Sequence, residues 1–322
     1  MTEVLSHLAM PRVARRVCAL PMLVAAIVVF SAGPALAVPL LAVADVGLGV
    51  GQAILLGLVE GITEYLPISS TGHLLVTSRV LGLAHTGSAG DALKSYEIAI
   101  QAGAIVAVLG LYRSRFVTMI EGITQRSVEG RRLLLALVVA FVPAAAVGVI
   151  GEKVIKAKLF GVGPVIGAWA VGGVLILVLV SRGVINRPGG RALETVKTRD
   201  ALIIGVAQVG AMWPGTSRSL VTIVAALLIG YSMSAAIEFS FLLGVITLGA
   251  ATAFSVVKDG SLMIDTFGLL TPLIGLVVAF VAAVVSVRWM VTYLQKHTLA
   301  IFGWYRLAVA GIALVLVVTN AI

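Results

Sequence analysis

Six apolar segments of near-membrane length recur along this chain, and they restrict its fold more than any other feature. They lie at about residues 97–112, 133–150, 161–181, 236–257, 266–287 and 298–320. A helix of about 20 apolar residues spans the hydrocarbon core of a bilayer. With 60% hydrophobic and only 11% charged residues among 322, the chain is too apolar for a soluble domain of this size. Since period-two alternation is absent, the sequence predicts an all-α polytopic membrane protein rather than a β-barrel.

Two further apolar segments, at about residues 47–83 and 201–231, are interrupted in their middle. The first contains LPISSTGH and the second WPGTSRS, so each interruption combines proline with small hydroxyl residues. Proline ends the helix before it, and an unpaired backbone group in hydrocarbon costs several kcal/mol. The interruption therefore has to be buried in protein or line a wet cavity. We predict two re-entrant helical hairpins whose tips lie inside the membrane.

The two halves of the chain resemble each other weakly. LLGLVEGITEYLPISS from Leu55 aligns with IIGVAQVGAMWPGTS from Ile203. Further on, YEIAIQAGAI from Tyr96 matches IEFSFLLGVI from Ile237, which places Glu97 opposite Glu238. Self-similarity of this kind marks membrane folds built from repeats. We predict repeats at about 47–181 and 201–320, each with one re-entrant hairpin and about three transmembrane helices. Since three crossings per half is an odd number, the second repeat is expected to have inverted topology.

Basic residues gather on one predicted side of the membrane. The N-terminal tail and the loops at 113–132, 182–200 and 288–297 carry 15 of the 23 Lys and Arg, whereas the opposite loops carry 6. The positive-inside rule places the richer side in the cytoplasm and lets the two hairpins enter from opposite faces. The same rule accounts for the net charge of +9 without a nucleic-acid partner.

The N-terminal residues 1–37 form a separate element of the sequence. Three arginines precede an apolar run from Val17 to Phe30, and the small-residue sequence PALA follows and ends at Ala37. This pattern is typical of a cleaved signal peptide, and it also fits an uncleaved extra hydrophobic segment. Residues 38–322 are predicted to form a single integral membrane domain.

The tip of the first hairpin concentrates groups that carry chemistry. Glu60 and Glu64 are four residues apart and share a helix face. Two such carboxylates can share a proton, bind a divalent cation or face an arginine. After the proline, a helix start adds free amides, hydroxyls and an imidazole, from Ser69, Ser70, Thr71 and His73. Intramembrane ionisable groups are costly and are functional candidates by default.

The second hairpin predicts an anion site. In PGTSRSLVT, Gly215 lets the backbone approach closely, and Arg218 supplies a planar fork of N–H groups that fits a phosphate. The start of a helix also favours anions, because its amides are unpaired and its dipole is positive there. The expected site binds a phosphate ester or anhydride carried by a lipid. Its candidate phosphate-binding residues are Ser69, Thr71, Thr216, Ser217, Arg218 and Ser219.

Several residues keep alternative interpretations. Ser69 and Ser219 either bind phosphate or hydrogen-bond to backbone, as hydroxyls in membrane helices commonly do. The acidic and amide residues Glu97, Gln101 and Glu238 are candidates for support of the helix interruptions or for a direct role. Arg218 is either a phosphate ligand or a counter-ion of the two glutamates. Architectural roles are predicted for Asp45, Tyr305 and Arg306.

These motifs resemble one known family. GLVEGITEYLPISSTGHL and PGTSRSLVT, together with YEIAIQAGAI, EFSFLLGV and the late WYR, are similar to the undecaprenyl-diphosphatase family, also called the bacitracin-resistance protein. The resemblance covers roughly residues 47 to 320. It implies hydrolysis of undecaprenyl diphosphate to the monophosphate and inorganic phosphate, which recycles the carrier lipid of peptidoglycan synthesis. Motif position then makes Glu64, Ser70, His73 and Arg218 the candidate catalytic residues.

The resemblance also implies a cofactor, a location and partners. A divalent cation, Mg²⁺ or Ca²⁺, is expected, with Glu60 and Glu64 as its candidate ligands. The expected location is the bacterial inner membrane, with an active site that faces the extracytoplasmic side and a C55 prenyl diphosphate as substrate. A homodimer is a further possible assembly. The nucleophile stays open among Ser70, His73 and water.

A second class of function fits the same sequence features. Inverted repeats and broken helices are also the architecture of secondary transporters and lipid flippases. Transport requires alternating access, whereas hydrolysis requires a nucleophile beside a base. The two classes are therefore separated by whether solubilised protein releases phosphate.

Overall fold

The computed structural model describes residues 48–83, 85–185 and 189–322. The signal-like segment 1–37 and Asp45 lie outside these residues, so the predictions for them stay predictions. Within the described ranges the chain folds into α-helices and short connections, with two 3₁₀ turns and a single isolated β-bridge between Arg191 and Tyr231. The predicted all-α class is confirmed.

The helices are labelled here in chain order. They are α1 Val50–Thr63, α2 Ser70–Val80, α3 Gly87–Leu111, α4 Arg113–Ile123, α5 Val128–Leu159, α6 Val162–Ser181, α7 Thr198–Val209, α8 Arg218–Leu228, α9 Met233–Phe267, α10 Leu270–Leu294 and α11 Ala300–Val318.

Six of these helices are long and apolar enough to cross a membrane, namely α3, α5, α6, α9, α10 and α11. They coincide with the six predicted spans, so the multi-pass membrane class is confirmed. Three are clearly longer than predicted, because α3 has 25 residues, α5 has 32 and α9 has 35. Hydropathy marks only the apolar part, whereas Lys and Glu beyond it are good helix formers and continue the helix. The predicted loop 113–132 also contains a helix, α4.

The two predicted interruptions are present as breaks between short helices. The first break, residues 64–69, separates α1 from α2, and the second break, residues 210–217, separates α7 from α8. In both, the last residue before the new helix is a serine with positive φ, 74° at Ser69 and 76° at Ser217. Two non-glycine residues in the same uncommon conformation indicate that the breaks are built alike.

Helix packing also relates the two halves. The helix α1 packs against α10, and its counterpart α7 packs against α5, while α3 pairs with α9 and α6 with α11. Close approach depends on glycine in both cross-half pairs. A Cβ at Gly57 would lie 2.4 Å from the Gly275 carbonyl, and one at Gly205 would lie 2.4 Å from the Ala140 carbonyl. This exchange of partners is the pattern expected for a two-fold repeat, and the inverted orientation stays a prediction.

Candidate active site

The first break is a short irregular segment fixed by its own sequence. Glu64 caps the end of α1, where its N–H donates to the Glu60 carbonyl at 2.9 Å. Pro67 has no N–H to continue a helix. Ile68 closes a tight turn by donating to the Leu66 carbonyl at 2.8 Å. The chain then enters α2 through Ser69, whose φ of 74° lies in the left-handed region.

The second break uses a glycine where the backbones meet. Gly215 has φ of 95°, and a Cβ there would lie 2.8 Å from the Val165 carbonyl. Ser217 then caps α8, because its Oγ accepts the Leu220 N–H at 3.3 Å. Both the left-handed backbone and the contact with α6 therefore require a residue without a side chain at position 215.

Two serines, Ser217 in the second break and Ser219 in α8, connect the second break to the first. The Ser219 hydroxyl donates to the Leu66 carbonyl at 2.8 Å, and the Ser217 Oγ lies 3.0 Å from the Ser219 Oγ. These hydroxyls satisfy a carbonyl that the helix break leaves free. Of the two interpretations left open for Ser219, the contacts favour hydrogen bonding to backbone.

Arg306, on α11, joins both breaks to α6. Its side chain is completely buried and donates to the carbonyls of Pro67, Thr216, Ala168 and Gly215 at 3.4, 3.2, 2.8 and 2.8 Å. It lies against Gly172, where a Cβ would be 2.3 Å from one of its Nη atoms. The predicted architectural role of Arg306 agrees with these contacts.

Loss of this arginine is expected to destabilise the protein strongly. The change Arg306→Met keeps a flexible apolar side chain but removes the donor from the carbonyls of Pro67, Gly215 and Thr216 in the two breaks, which should lower the free energy of unfolding by about 3–5 kcal/mol. Unfolding by SDS in mixed micelles, followed by tryptophan fluorescence, measures the change. Arg182→Met, at an exposed position, is the control. Equal unfolding midpoints for the two variants would contradict the role of Arg306 as a clamp, that is, as the side chain that binds the backbone carbonyls of both breaks.

At the centre, Glu64 connects the two breaks through both of its carboxylate oxygens. Ser70 donates a short hydrogen bond to Oε2. Arg218 donates from Nη2 to Oε1 at 3.2 Å. The side chains of Glu64 and Arg218 are only 6% and 10% exposed, so this ion pair is shielded from solvent. A hydroxyl beside a buried carboxylate is the arrangement of a nucleophile and its base.

Arg218 keeps donors available beyond these contacts. Its Nη1 donates to the Ser240 carbonyl at 2.8 Å, and its guanidinium lies over the Tyr65 ring at 5.2 Å. Guanidinium carries five N–H groups, of which these bonds use two. Its Nε has no acceptor among the described residues. The arginine therefore has a fixed position and unused donors, as an anion ligand requires.

His73 lies beside this cluster with both ring nitrogens engaged. Its Nδ1 donates to the Ser69 carbonyl at 2.7 Å, which leaves Nε2 to accept from the Tyr305 hydroxyl at 3.0 Å. The ring also packs edge-on against Trp169, whose Nε1 donates to the Ile68 carbonyl. The architectural role predicted for Tyr305 stays a prediction, and the structure adds that its hydroxyl hydrogen-bonds a candidate catalytic side chain.

Glu60 lies one helical turn before Glu64 on α1 and is completely buried. Its two carboxylate oxygens have no hydrogen-bond partner among the described residues. An unsatisfied buried carboxylate calls for an explanation such as a bound ion. Hard oxygen donors suit Mg²⁺ or Ca²⁺, and Mg²⁺ commonly uses one or two carboxylates with substrate phosphates. No group of three or more metal-binding side chains occurs among the described residues, so the fit rests on this pair.

Other candidates lie away from the centre. Glu238 pairs with Arg115 at 2.6 Å, in a network that includes Glu129 and Glu194. It is therefore not a support for either break, because its side chain turns toward α4 instead of α8. Thr71 is exposed, although its neighbour Ser70 is buried.

Three further candidates take intermediate positions. Glu97 lies beside Ser78 of α2 and near Glu60. Gln101 is half-buried on α3, and Thr216 contributes its carbonyl to Arg306. Sequence reasoning missed Tyr65, Trp169 and Ser240, whose contacts with the site cross between helices. Only the lone arginine in the last apolar span gave a sequence signal for the clamp.

The fold and these contacts define a polytopic membrane protein with a buried polar site at two helix breaks, where the starts of α2 and α8 meet an arginine and a hydroxyl–carboxylate pair. Residues 53–312 match the model of the family described as bacitracin resistance protein BacA. The chain belongs to this family.

Curated relatives agree over most of the chain. An undecaprenyl-diphosphatase of Sorangium cellulosum is 45% identical over 266 residues, which are 82% of this chain and 85% of that protein. Undecaprenyl-diphosphatase of Methylibium petroleiphilum is 41% identical over 82% of this chain and 93% of its own length. Undecaprenyl-diphosphatase 1 of Burkholderia ambifaria is 41% identical over 80% and 91%.

Proposed function

We propose that this protein hydrolyses undecaprenyl diphosphate to undecaprenyl phosphate and inorganic phosphate. The observation that carries the proposal is the pairing of the Ser70 hydroxyl and Arg218 on the two oxygens of Glu64. This one contact set joins a nucleophile, a base and an anion ligand inside the membrane domain. Membership of the family and the names of the relatives support the same activity.

In the proposed mechanism, Arg218 and the first amides of α2 and α8 hold the diphosphate. Ser70 attacks the terminal phosphorus while its proton passes to Glu64, and the bond to the bridging oxygen breaks. Water then releases inorganic phosphate from the serine. The donors of Arg218 stabilise the negative charge that grows on the transferred group. Among the three nucleophiles left open by the sequence, Ser70 is favoured because both nitrogens of His73 are engaged.

Glu60 and Glu64 are the proposed holders of a divalent cation. Bound there, Mg²⁺ or Ca²⁺ would neutralise diphosphate charge and polarise a phosphoryl oxygen. Glu60 suits this role because its buried oxygens lack protein donors among the described residues. Glu64 then has two tasks, as ligand and as acceptor of the Ser70 proton.

The lipid nature of the substrate fits the location of the site. The site lies among helices of membrane-spanning length, so a C55 chain can stay in the bilayer while its head group reaches the breaks. We place the protein in the bacterial inner membrane with the site open to the extracytoplasmic side, on the basis of the charge bias of the loops. This activity would recycle the carrier lipid of peptidoglycan synthesis and confer bacitracin resistance. A homodimer stays a prediction.

The flippase or transporter alternative is less favoured. Broken helices are compatible with transport. However, transport does not require a hydroxyl group that donates a hydrogen bond to a buried carboxylate, whereas hydrolysis by a nucleophile and a base does. The relatives reported above are named as diphosphatases.

The deciding experiment measures phosphate release from C55 diphosphate by purified protein in detergent, which abolishes vectorial movement. We expect turnover that falls at least about tenfold with EDTA and returns with excess Mg²⁺ or Ca²⁺. EDTA already saturated with Ca²⁺ is the control for chelator effects on the micelle. Absence of phosphate release would refute the proposed hydrolase activity. Phosphate release that EDTA does not reduce would refute only the proposed requirement for a divalent cation.

A further inference from the structure

The guanidinium of Arg218 lies flat against the backbone of α9 at Gly244. A Cβ built on Gly244 would be 2.3 Å from Nη1, 2.6 Å from Cζ and 2.7 Å from Nη2 of this arginine. All three of its nearest neighbours belong to Arg218, so the space that a side chain would fill is occupied by this one group. Carbon atoms pack at about 3.5–4.0 Å, and hence even one methyl group displaces the guanidinium.

The other sides of the guanidinium are held as well. The Ser240 carbonyl, one turn before Gly244 on α9, accepts from Nη1 at 2.8 Å. Glu64 accepts from Nη2 at 3.2 Å, and the ring of Tyr65 lies 5.2 Å away. Residues of the first break and of α9 therefore hold this guanidinium, and the backbone at Gly244 forms one wall of the space that it occupies.

We propose that Gly244 is a positioning residue that sets the orientation of Arg218 toward the phosphate groups of the substrate. The inference rests on the proposed function, and it adds a determinant on α9, outside the two interrupted segments that supply the candidate catalytic residues. A side chain at position 244 would occupy the space of the guanidinium and would move it off the Ser240 carbonyl and away from Glu64. Displacement by about 1 Å of a group that aligns a reaction can cost about 10²-fold in rate.

The direct test is Gly244→Ala, compared with Gly249→Ala on the same helix. A Cβ at Gly249 would meet nothing within 4 Å. Alanine is the better helix former at both positions, so helix propensity weakens neither variant. We expect Gly244→Ala to lower kcat/KM for phosphate release by about 10–10²-fold, mostly through kcat, since charge on the phosphoryl group grows in the transition state. Gly249→Ala should stay within about twofold of the unchanged protein.

A double-mutant cycle shows whether the effect passes through Arg218. In an Arg218→Lys background the narrower ammonium leaves room for a methyl group, so adding Gly244→Ala should change kcat/KM less than about threefold. An equal fall in both backgrounds would overturn the inference, as would a Gly244→Ala variant with unchanged kcat/KM. If Gly244→Ala fails to fold and Arg218→Lys does not restore folding, the clash lies elsewhere and the inference is also overturned.

Binding of inorganic pyrophosphate separates this inference from the proposed hydrolysis. Protection against thermal unfolding by pyrophosphate should appear in the unchanged protein and in Gly249→Ala and be reduced in Gly244→Ala. If the unchanged protein is protected but releases no phosphate from C55 diphosphate, the hydrolase proposal fails. The positioning role of Gly244 is then still supported, provided that protection is reduced in Gly244→Ala. If Gly244→Ala is protected equally, the positioning role is refuted and the hydrolase stands. If the unchanged protein is not protected at all, Arg218 is no phosphate ligand and the inference falls.

Discussion

Replacing Arg218 by alanine is expected to lower kcat/KM for phosphate release by about 10²–10³-fold, the usual effect of removing one preorganised donor of transition-state charge. The structure gives the reason, since this guanidinium holds Glu64 and Ser240 with two donors and keeps the others unused. Removal of Arg218 also leaves the buried Glu64 carboxylate without the guanidinium that neutralises its charge, which is itself unfavourable. Steady-state kinetics in detergent with C55 diphosphate measures the effect.

Arg218→Lys is the informative companion variant. An ammonium keeps the charge but cannot reach two acceptors and a phosphate in one plane, so we expect a smaller but clear loss. Arg182→Ala, at an exposed arginine, is the matched control and should leave the kinetics unchanged. An Arg218→Ala protein that retains more than a tenth of its kcat/KM would show that the anion is bound elsewhere.

Replacing Ser70 by alanine is expected to lower kcat by at least about 10³-fold with little change in KM, because the hydroxyl acts in the chemical step more than in binding. The fold should tolerate the change, since alanine is a good helix former and Ser70 opens α2. Ser78→Ala is the matched control. That serine is buried on the same helix but donates to the Leu74 carbonyl at 2.8 Å.

Acid quenching during turnover of substrate labelled in its terminal phosphate tests the covalent step. Label on the unchanged protein, and none on Ser70→Ala, is the expected result. If Ser70→Ala keeps a substantial part of kcat, water is the nucleophile and the serine only orients it. A parallel alkaline quench preserves phosphohistidine, which is hydrolysed in acid. If label then appears on Ser70→Ala and is lost in His73→Ala, the imidazole is the nucleophile instead.

The sequence predicted the elements of this fold better than their ends. Apolar length identifies a membrane helix because the bilayer thickness sets it, and this locates α6 almost to the residue. The same criterion ended α5 and α9 too early, because hydropathy does not detect a helix that continues beyond hydrocarbon. It also assigned a loop to the segment that forms α4.

Contacts between side chains that are distant in the sequence were predicted correctly in one case and not in another. The proximity of Arg218 to Glu64 was expected because two hairpin tips were expected to meet, and the structure brings them to 3.2 Å. Glu238 was matched to Glu97 by alignment, yet its carboxylate turns to Arg115. Alignment gives the position along a helix, while the partner depends on which neighbouring helix that face meets.

What the sequence by itself determined is local: the membrane-spanning lengths, the two breaks at proline and serine, and the kinds of functional groups near them. These follow from bilayer thickness and from backbone chemistry within a few residues. Only the tertiary structure decided that Arg306 clamps both breaks, that Tyr305 hydrogen-bonds His73 and that Gly244 seats Arg218. Those contacts join residues far apart in the chain, and side-chain packing between helices decides them.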